Sequence, residues 1–490
     1  MNWTKFIGTG MNNWFVYLSV FEELYDKVVE EVIESENFNK PAGVLYNKSQ
    51  KKEVNVENYT QLDSFSDLIQ QSFTHKPDLE FIKKLERDYA ISALSLTIMA
   101  DRHFGYDEKI LNYKQKLSII ELTFRYAINL NQNVSFKFAW FESVGDFFSY
   151  VLYLVFKKFG VEICCIVHGQ FPGKIAISNN EQLIWNGVEE ELIKISEIGP
   201  SKEEINKAQK FLLDYRSNLP VPSRFTKGSI PSLKYIDLKL FIKWVTASLG
   251  SKANSNIFYK SPFRLLSLKL MRIFRSLLSR RIFDRLSEND PQDYVFFPLH
   301  FQPEMTTLVC APFCINQVAV IEDIAKSLPA GTELIVKEHH GSVGRRRIID
   351  YLDIKKNWNV RLVGPHEDTM NIIKNSKAVV TINSTVGLQG LLLGKPVVTL
   401  ARVGYDASPA ITRAHNIPRK DLSNVLKKAM DSTPNERDIL FFLISVDRVL
   451  IDGADGIILE HPSYNPTEVL GKKNIRNISN IIKTHFLKTT

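Results

Sequence analysis

From position 294 onward, short apolar runs alternate with longer segments in which apolar residues recur at helical spacing. The runs cover 294–298, 333–337, 360–363, 378–382 and 396–400, and they are rich in β-branched residues. Runs of this length read as buried strands, and regular alternation of strand and helix predicts a parallel sheet covered on both faces. Each run ends in a polar group. The first ends at His300, Gln302 and Glu304, the second at Glu338, His339 and His340, and the fourth at Asn383, Ser384 and Thr385. Ligands of such sheets bind at the carboxyl ends of the strands, so the predicted sheet concentrates its chemistry on one edge.

The first half is less regular. Residues 1–40 read as a helical lead-in with an acidic face over 21–37, and residues 41–60 as a polar loop. Helical spacing then covers 81–89, leading to Asp101 and Arg102, and 114–129. Alternation at 134–138 predicts a strand, and 141–158 a helix whose first turn places Glu142 and Asp146 on one face. The run 161–167 is a further strand that enters a glycine-bearing loop, 168–174, ending at Lys174. Strand, helix and strand with polar ends again predict a second Rossmann-like domain. Charged helical spacing covers 189–216 until Pro220 and Pro222 end it, and more helices are expected at 237–249, 422–430, 437–450 and 472–490. The expected division is an N-terminal domain over 1–190, a helical basic insertion over 191–290, a C-terminal domain over 291–455 and a tail over 456–490. The tail helix is expected to cross back to the first domain.

Length and composition fit this picture. A chain of 490 residues, 44% hydrophobic and 24% charged, exceeds one ordinary core and suits two soluble domains. The net charge of +8 suits an anionic partner. The four cysteines, Cys164, Cys165, Cys310 and Cys314, lack zinc-ligand spacing and are expected to be reduced thiols. No run approaches the ~18 apolar residues of a membrane span, and the first residues lack a signal-peptide core, so a cytoplasmic location is expected. Positively charged side chains crowd 260–286, interleaved with leucines against the single acid Asp284. This amphipathic segment is a candidate for lying on the inner face of a membrane, the alternative being a helix packed between domains. Nucleic acid is not an expected partner, because no aromatic platform accompanies the charge.

Among the strand-end clusters, Asn383, Ser384 and Thr385 stand where a strand meets a helix, so backbone N–H groups and hydroxyls there suit a phosphate; an ordinary helix cap is the competing reading. Lys337, Glu338, His339 and His340 place a cation, a carboxylate and two imidazoles together, suited to binding or protonating a phosphate. A metal is not expected, since adjacent histidines should point apart and no third ligand is placed by spacing. The glycine fingerprints of dinucleotide and P-loop sites and the Gly-x-Ser-x-Gly elbow are missing from the sequence.

The stretches Phe297-Pro-Leu-His-Phe-Gln-Pro-Glu304, Val336-Lys-Glu-His339 and Ile382-Asn-Ser-Thr-Val-Gly387, with Leu393-Gly-Lys-Pro396, resemble the bacterial capsule polysaccharide biosynthesis proteins. That family includes β-Kdo transferases. The resemblance is best over 290–406 and fainter at 85–89, 101–102 and 142–174. It implies an α/β, GT-B-like glycosyltransferase with two Rossmann-like domains whose parallel sheets face a central cleft, and no obligatory metal. By this likeness His300, Gln302, Glu304, Lys337, Glu338, Asn383, Ser384, Thr385 and Gln389 would hold the nucleotide-sugar donor. His339 would serve the leaving phosphate, Glu142, Asp146 and Asp101 would be candidates for base or nucleophile, and Arg102 and Lys174 would meet acceptor or sugar. Two positions depart from the pattern. His340 stands where members commonly have proline, and Gln389 stands where many GT-B enzymes grip the ribose with a glutamate.

The expected function is transfer of Kdo or a related acidic sugar from a CMP-linked donor to a surface glycan or glycolipid. A UDP-sugar transferase, an epimerase or hydrolase on the same fold, and a non-catalytic assembly factor are the alternatives.

Overall fold

The structure, a computed structural model, describes residues 13–19, 22–35, 38–72, 74–89, 98, 111–219, 242, 262–286, 293–302, 304–415, 417–454 and 469–487. The strands are β1 (Trp14–Leu18), β2 (Ala42–Leu45), β3 (Gln61–Ser64), β4 (Phe138–Phe141), β5 (Glu162–His168), β6 (Lys174–Ser178), β7 (Tyr294–Pro298), β8 (Glu333–Lys337), β9 (Val360–Val363), β10 (Ala378–Thr381), β11 (Val397–Thr399), β12 (Ile411–Arg413) and β13 (Ile451–Asp452). The main helices are α1 (Glu22–Ile33), α2 (Phe65–Ser72), α3 (Leu79–Asp88), α4 (Tyr113–Val134), α5 (Phe147–Lys158), α6 (Val188–Ile198), α7 (Lys202–Ser217), α8 (Pro262–Ile282), α9 (Gln317–Ser327), α10 (Ile348–Lys355), α11 (Thr369–Asn375), α12 (Thr385–Leu392), α13 (Leu422–Met430), α14 (Glu436–Val449) and α15 (Lys472–Leu487). The chain falls into two compact units, Met1–Asn186 with Pro303–Met305 and Leu450–Thr490, and Gly187–Gln302 with Thr306–Val449.

The N-terminal unit holds a seven-stranded sheet of order β13-β6-β5-β4-β1-β2-β3. Its strands run parallel except at the β6 edge, where β6 is antiparallel to both β5 and β13. Strand β1 pairs with both β2 and β4. The chain therefore builds outward to β3 on one side, then returns to lay β4 and β5 on the other. The carboxyl ends of β1 and β4 flank this reversal.

Two expectations for the first residues are corrected here. The helical lead-in contains β1, a central strand with all five residues buried, and the polar loop contains β2, buried throughout. A short, uniformly buried strand shows no alternation, so periodicity cannot separate it from a helix segment. Gly43 in β2 leaves room for Tyr59 and Leu62, whose side chains would collide with a β-carbon there.

A third correction concerns Glu142 and Asp146. Helix α4 extends through Val134 and ends on Ser135 in the left-handed region, so the strand is 138–141 rather than 134–138. Helix α5 starts at Phe147, not at 141, and Asp146 is its N-cap. Glu142 thus sits on the connection after β4 and shares no helix face with Asp146. The Asp146 carboxylate accepts from Ser149 N–H at 2.8 Å, Tyr17 Oη at 2.8 Å and Ser19 Oγ at 3.3 Å. It holds β1 to the start of α5. Asp146→Ala is expected to lower the unfolding free energy by about 2 kcal/mol, combining a lost cap with the lost hydrogen bonds from Tyr17 and Ser19. Urea denaturation measures this, and a change within about 0.5 kcal/mol would deny the residue that role.

The tail returns as expected. In α15, Ile478, Ile482 and Phe486 share one buried core with Leu24, Tyr25 and Val28 of α1, and the Phe486 ring meets Phe138 of β4 at 5.7 Å. Asn474 donates to Ala454 C=O at 2.9 Å and accepts from its N–H at 2.8 Å, fixing the residues beyond β13. Asp101, Arg102 and the predicted helix 237–249 lie outside the described residues, Ile242 alone excepted.

The C-terminal unit holds a six-stranded sheet of order β12-β11-β10-β7-β8-β9, with every pairing parallel. The five predicted strands match β7 to β11 to within a residue at either end. Strand β7 lies at the reversal, paired with both β8 and β10. The expected charged stretch 189–216 is two helices: Gly199 and Pro200 end α6, and the Ser201–Glu204 capping box starts α7. Both parts of the fold are thus α/β with a parallel-rich, Rossmann-like sheet, the class expected from the sequence.

Candidate anion-binding site at the ends of β7, β8 and β10

The reversal at β7 brings three polar strand ends together. His300 follows β7 and is buried. Its Nε2 accepts from the backbone N–H of Asn383, beyond β10, at 3.3 Å, which assigns the ring proton to Nδ1. The backbone of His300 is clasped by Gln317 of α9, which accepts from its N–H at 2.8 Å and donates to its C=O at 3.1 Å. On the other side, Phe301 lies 5.8 Å from the ring of His339, beyond β8. His300, His339 and Asn383 are therefore joined through direct neighbours.

His339 caps a single turn, His340–Ser342, and its Nδ1 accepts from Gly341 N–H at 3.1 Å. With Nδ1 so used, Nε2 carries the proton and is a donor. That same turn corrects the expectation that the two histidines point apart: their rings lie 4.2 Å from each other. Among the described residues no group of three His, Cys, Asp or Glu side chains could hold a metal ion.

Burial, with smaller effects from His340, His300, Lys337 and Arg346, pushes the His339 imidazole down to about 3. Burial and the Arg346 charge push His300 down to about 4. Both rings are neutral in the fold near pH 7, so they are hydrogen-bonding groups there rather than cations. In an unfolded chain they would take protons below pH 6.5, their ordinary value. The stability due to their neutral burial is present above pH 6.5 and lost as pH falls through the folded values. The urea midpoint is therefore expected to drop between pH 7 and pH 5, and to drop less in His300→Gln. A midpoint that falls equally in both proteins would remove His300 from the effect.

Glu338, expected to touch a donor, is turned inward. Its side chain is fully buried, accepting from Arg346 Nε at 2.8 Å and from His339 N–H at 2.6 Å. Arg346 also donates to His300 C=O at 3.2 Å. This pair fastens the loops after β7 and β8 to each other. Gln302 is likewise structural at its amide nitrogen, which donates to Ile315 C=O at 2.8 Å and Thr307 Oγ1 at 3.2 Å. Lys337 donates to Pro365 C=O at 3.2 Å, and burial lowers its pKa from the ordinary lysine value. Arg345 stands over the Phe301 ring at 5.0 Å. Glu338 is neutralised by Arg346, while Glu367 and Asp368, beyond β9, act on the Lys337 ammonium.

Beyond β10, Ser384 is the N-cap of α12, its Oγ accepting from Val386 N–H at 3.3 Å. Thr385 is exposed at the first helical position, and Gln389 is half-buried one turn further on. The Ser384 carbonyl accepts from Tyr405, a residue whose ring is fully buried. Gly387 makes this contact possible, because a β-carbon there would collide with the Tyr405 hydroxyl and lie 2.9 Å from its Cζ. Gly387→Ala adds ~1 kcal/mol of helix propensity. Overpacking typically costs about 1–3 kcal/mol, and the Tyr405 ring is fully buried. The variant is therefore expected to be destabilised; a thermal-unfolding midpoint at or above the parent's would show that the ring yields.

Among the described residues, the sequence candidates Glu142, Asp146, Lys174 and Glu304 group with the N-terminal unit. Lys174 begins β6 in the N-terminal unit and pairs with Asp452 of β13 at 2.9 Å. Glu304 is half-buried and groups with the N-terminal unit. Sequence reasoning missed Arg346, Gln317 and Tyr405. Only the Arg345–Arg347 run, close behind a strand end, could have signalled Arg346 in advance.

Comparison with known proteins agrees with the motifs. Residues 261–440 match the family described as capsule polysaccharide biosynthesis protein. Over 211 residues, 41% of this chain and 49% of the relative, the sequence is 26% identical to the capsule polysaccharide modification protein LipB of Neisseria meningitidis serogroup A. Over 156 residues, 31% of this chain and 37% of the relative, it is 26% identical to Protein FixF of Sinorhizobium fredii. The matched stretches thus span half or less of these relatives. Among solved structures, the β-Kdo 2,7 transferase KpsC of Thermosulfurimonas dismutans is 12% identical, with TM-score 0.30 and coverage of 66% of this chain and 89% of that one. The UDP-GlcNAc 2-epimerase of Neisseria meningitidis is 12% identical, with TM-score 0.29 and coverage of 97% and 100%. The family match thus falls within the C-terminal unit, on the stretch where the strand-end motifs lie.

Proposed function

We propose that this protein is a glycosyltransferase that moves an acidic sugar of the Kdo kind from a CMP-linked donor to a capsule or surface glycan acceptor. One observation carries the reading: the sheet reversal at β7 assembles neutral imidazoles, a helix N-terminus and the Lys337 and Arg345 side chains into one strand-end site inside a capsule-family sequence. The reaction breaks the bond between the anomeric carbon and the phosphate oxygen, leaving negative charge on the departing phosphate. His339 Nε2–H, Lys337 and the N-terminus of α12 supply donors and positive potential for that charge, with no metal required by the proposal. Arg345 suits the sugar carboxylate.

The acceptor hydroxyl must lose its proton, and Glu142 is the candidate for that base. Asp146 is committed to its cap and to Tyr17.

A ligand panel tests the donor. CMP at a hundredfold over its dissociation constant should stabilise the protein by about 2.7 kcal/mol, and UDP should not. Stabilisation by UDP-sugars alone would replace the donor. Turnover of donor with no acceptor present would point to an epimerase or hydrolase. No shift with any nucleotide would leave the chain without a donor and end the transferase reading.

A further inference from the structure

Helix α8 is built inside out. Its inward side buries two hydroxyl side chains, Ser276 and Ser279, both at 0% exposure. On that side its backbone approaches so closely that Gly344 could carry no β-carbon without striking the Arg272 carbonyl. Its outward side carries Leu270, Met271, Phe274 and Leu277, exposed to 47%, 36%, 62% and 52%. At 3.6 residues per turn these four fall in a stripe roughly 120° wide, opposite the two serines. A helix packed on a water-soluble unit ordinarily turns that stripe inward. The neighbouring helix α10, joined to α8 through the Phe283–Tyr351 ring contact at 5.3 Å, also exposes Ile349 and Leu352, one turn apart.

The charge around the stripe identifies what would cover it. Arg280, Arg281 and Arg285 are exposed, and Arg272 and Arg275 are half-buried. The one acid in 262–286, Asp284, is held by Lys355 at 2.5 Å. An apolar strip accompanied by exposed arginines matches a layer that is anionic at its surface and apolar just beneath. Among the described residues no helix is long and apolar enough to cross a membrane, so the match is to its surface.

We propose that α8 lies flat in the interface of an anionic lipid bilayer. Leu270, Phe274 and Leu277 enter the acyl boundary, and Arg280, Arg281 and Arg285 meet lipid phosphates.

Co-sedimentation of the full chain with vesicles tests it. Binding is expected to vesicles containing about one-third phosphatidylglycerol, to be about tenfold weaker to pure phosphatidylcholine, and to weaken with salt. F274E/L277E changes exposed positions only, so it should keep the parent's thermal-unfolding midpoint while binding falls about tenfold or more. R280A/R281A should lose the preference for anionic lipid. The proposal is overturned if the parent binds neither vesicle, or if neither double variant changes binding. It is equally overturned if the parent self-associates in sedimentation velocity, F274E/L277E is monomeric, and neither protein binds lipid. That result would make the stripe a contact between copies of the chain.

Discussion

Replacing Arg346 with methionine is expected to cost about 3–5 kcal/mol of folding free energy, a large fraction of what holds a typical domain together. Its guanidinium and the Glu338 carboxylate are 9% and 0% exposed and 2.8 Å apart. Removing the cation leaves a carboxylate sealed from water that keeps the His339 N–H and the neighbouring Tyr351 hydroxyl but no opposite charge at contact distance. The double variant Glu338→Gln, Arg346→Met should recover much of the loss, because no buried charge remains. Guanidinium denaturation of the parent, single and double variants forms a complete cycle. A single variant as stable as the parent would mean that water reaches this pair.

The second large effect is on turnover. His339→Ala removes the neutral Nε2–H donor proposed to meet the leaving phosphate, and kcat should fall about a hundredfold while KM for the donor changes little. His339→Gln keeps an N–H donor and should recover part of the rate. Because burial pushes His339 down to about 3, its own titration should leave no inflexion in the rate between pH 6 and 8. Parent-like transfer by His339→Ala would remove this residue from the chemistry, while an acidic limb near pH 6.5 that vanishes in His339→Gln would show that it works as a cation.

The C-terminal sheet was legible because its strands combine β-branched runs with abrupt polar ends, a pattern that needs no tertiary information. The N-terminal sheet was partly hidden for the converse reason. Strand β1 is buried on both faces and β2 contains Ala42 and Gly43, so neither alternates and neither is rich in branched residues. The site shows the same divide. His300, His339 and Asn383 were readable as strand-end residues, and the strand order then made them neighbours. Whether a polar side chain faces a ligand or the protein depends on partners distant in sequence. Glu338 is drawn inward by Arg346, Asp146 by Tyr17, and Gln302 by Ile315. No local pattern encodes those choices.

The return of α15 to the first sheet constrains how the chain acquires its shape during synthesis. Ile478, Ile482 and Phe486 complete a core begun by Leu24 and Tyr25, and β13 closes an edge opened by β6. A ribosome releases the first of these partners hundreds of residues before the last. The N-terminal unit must therefore wait, with part of its apolar surface uncovered, until α15 has been synthesised. A nonsense mutation near position 449 would accordingly strip the earliest-made unit of its closing layer and leave the later-made one whole.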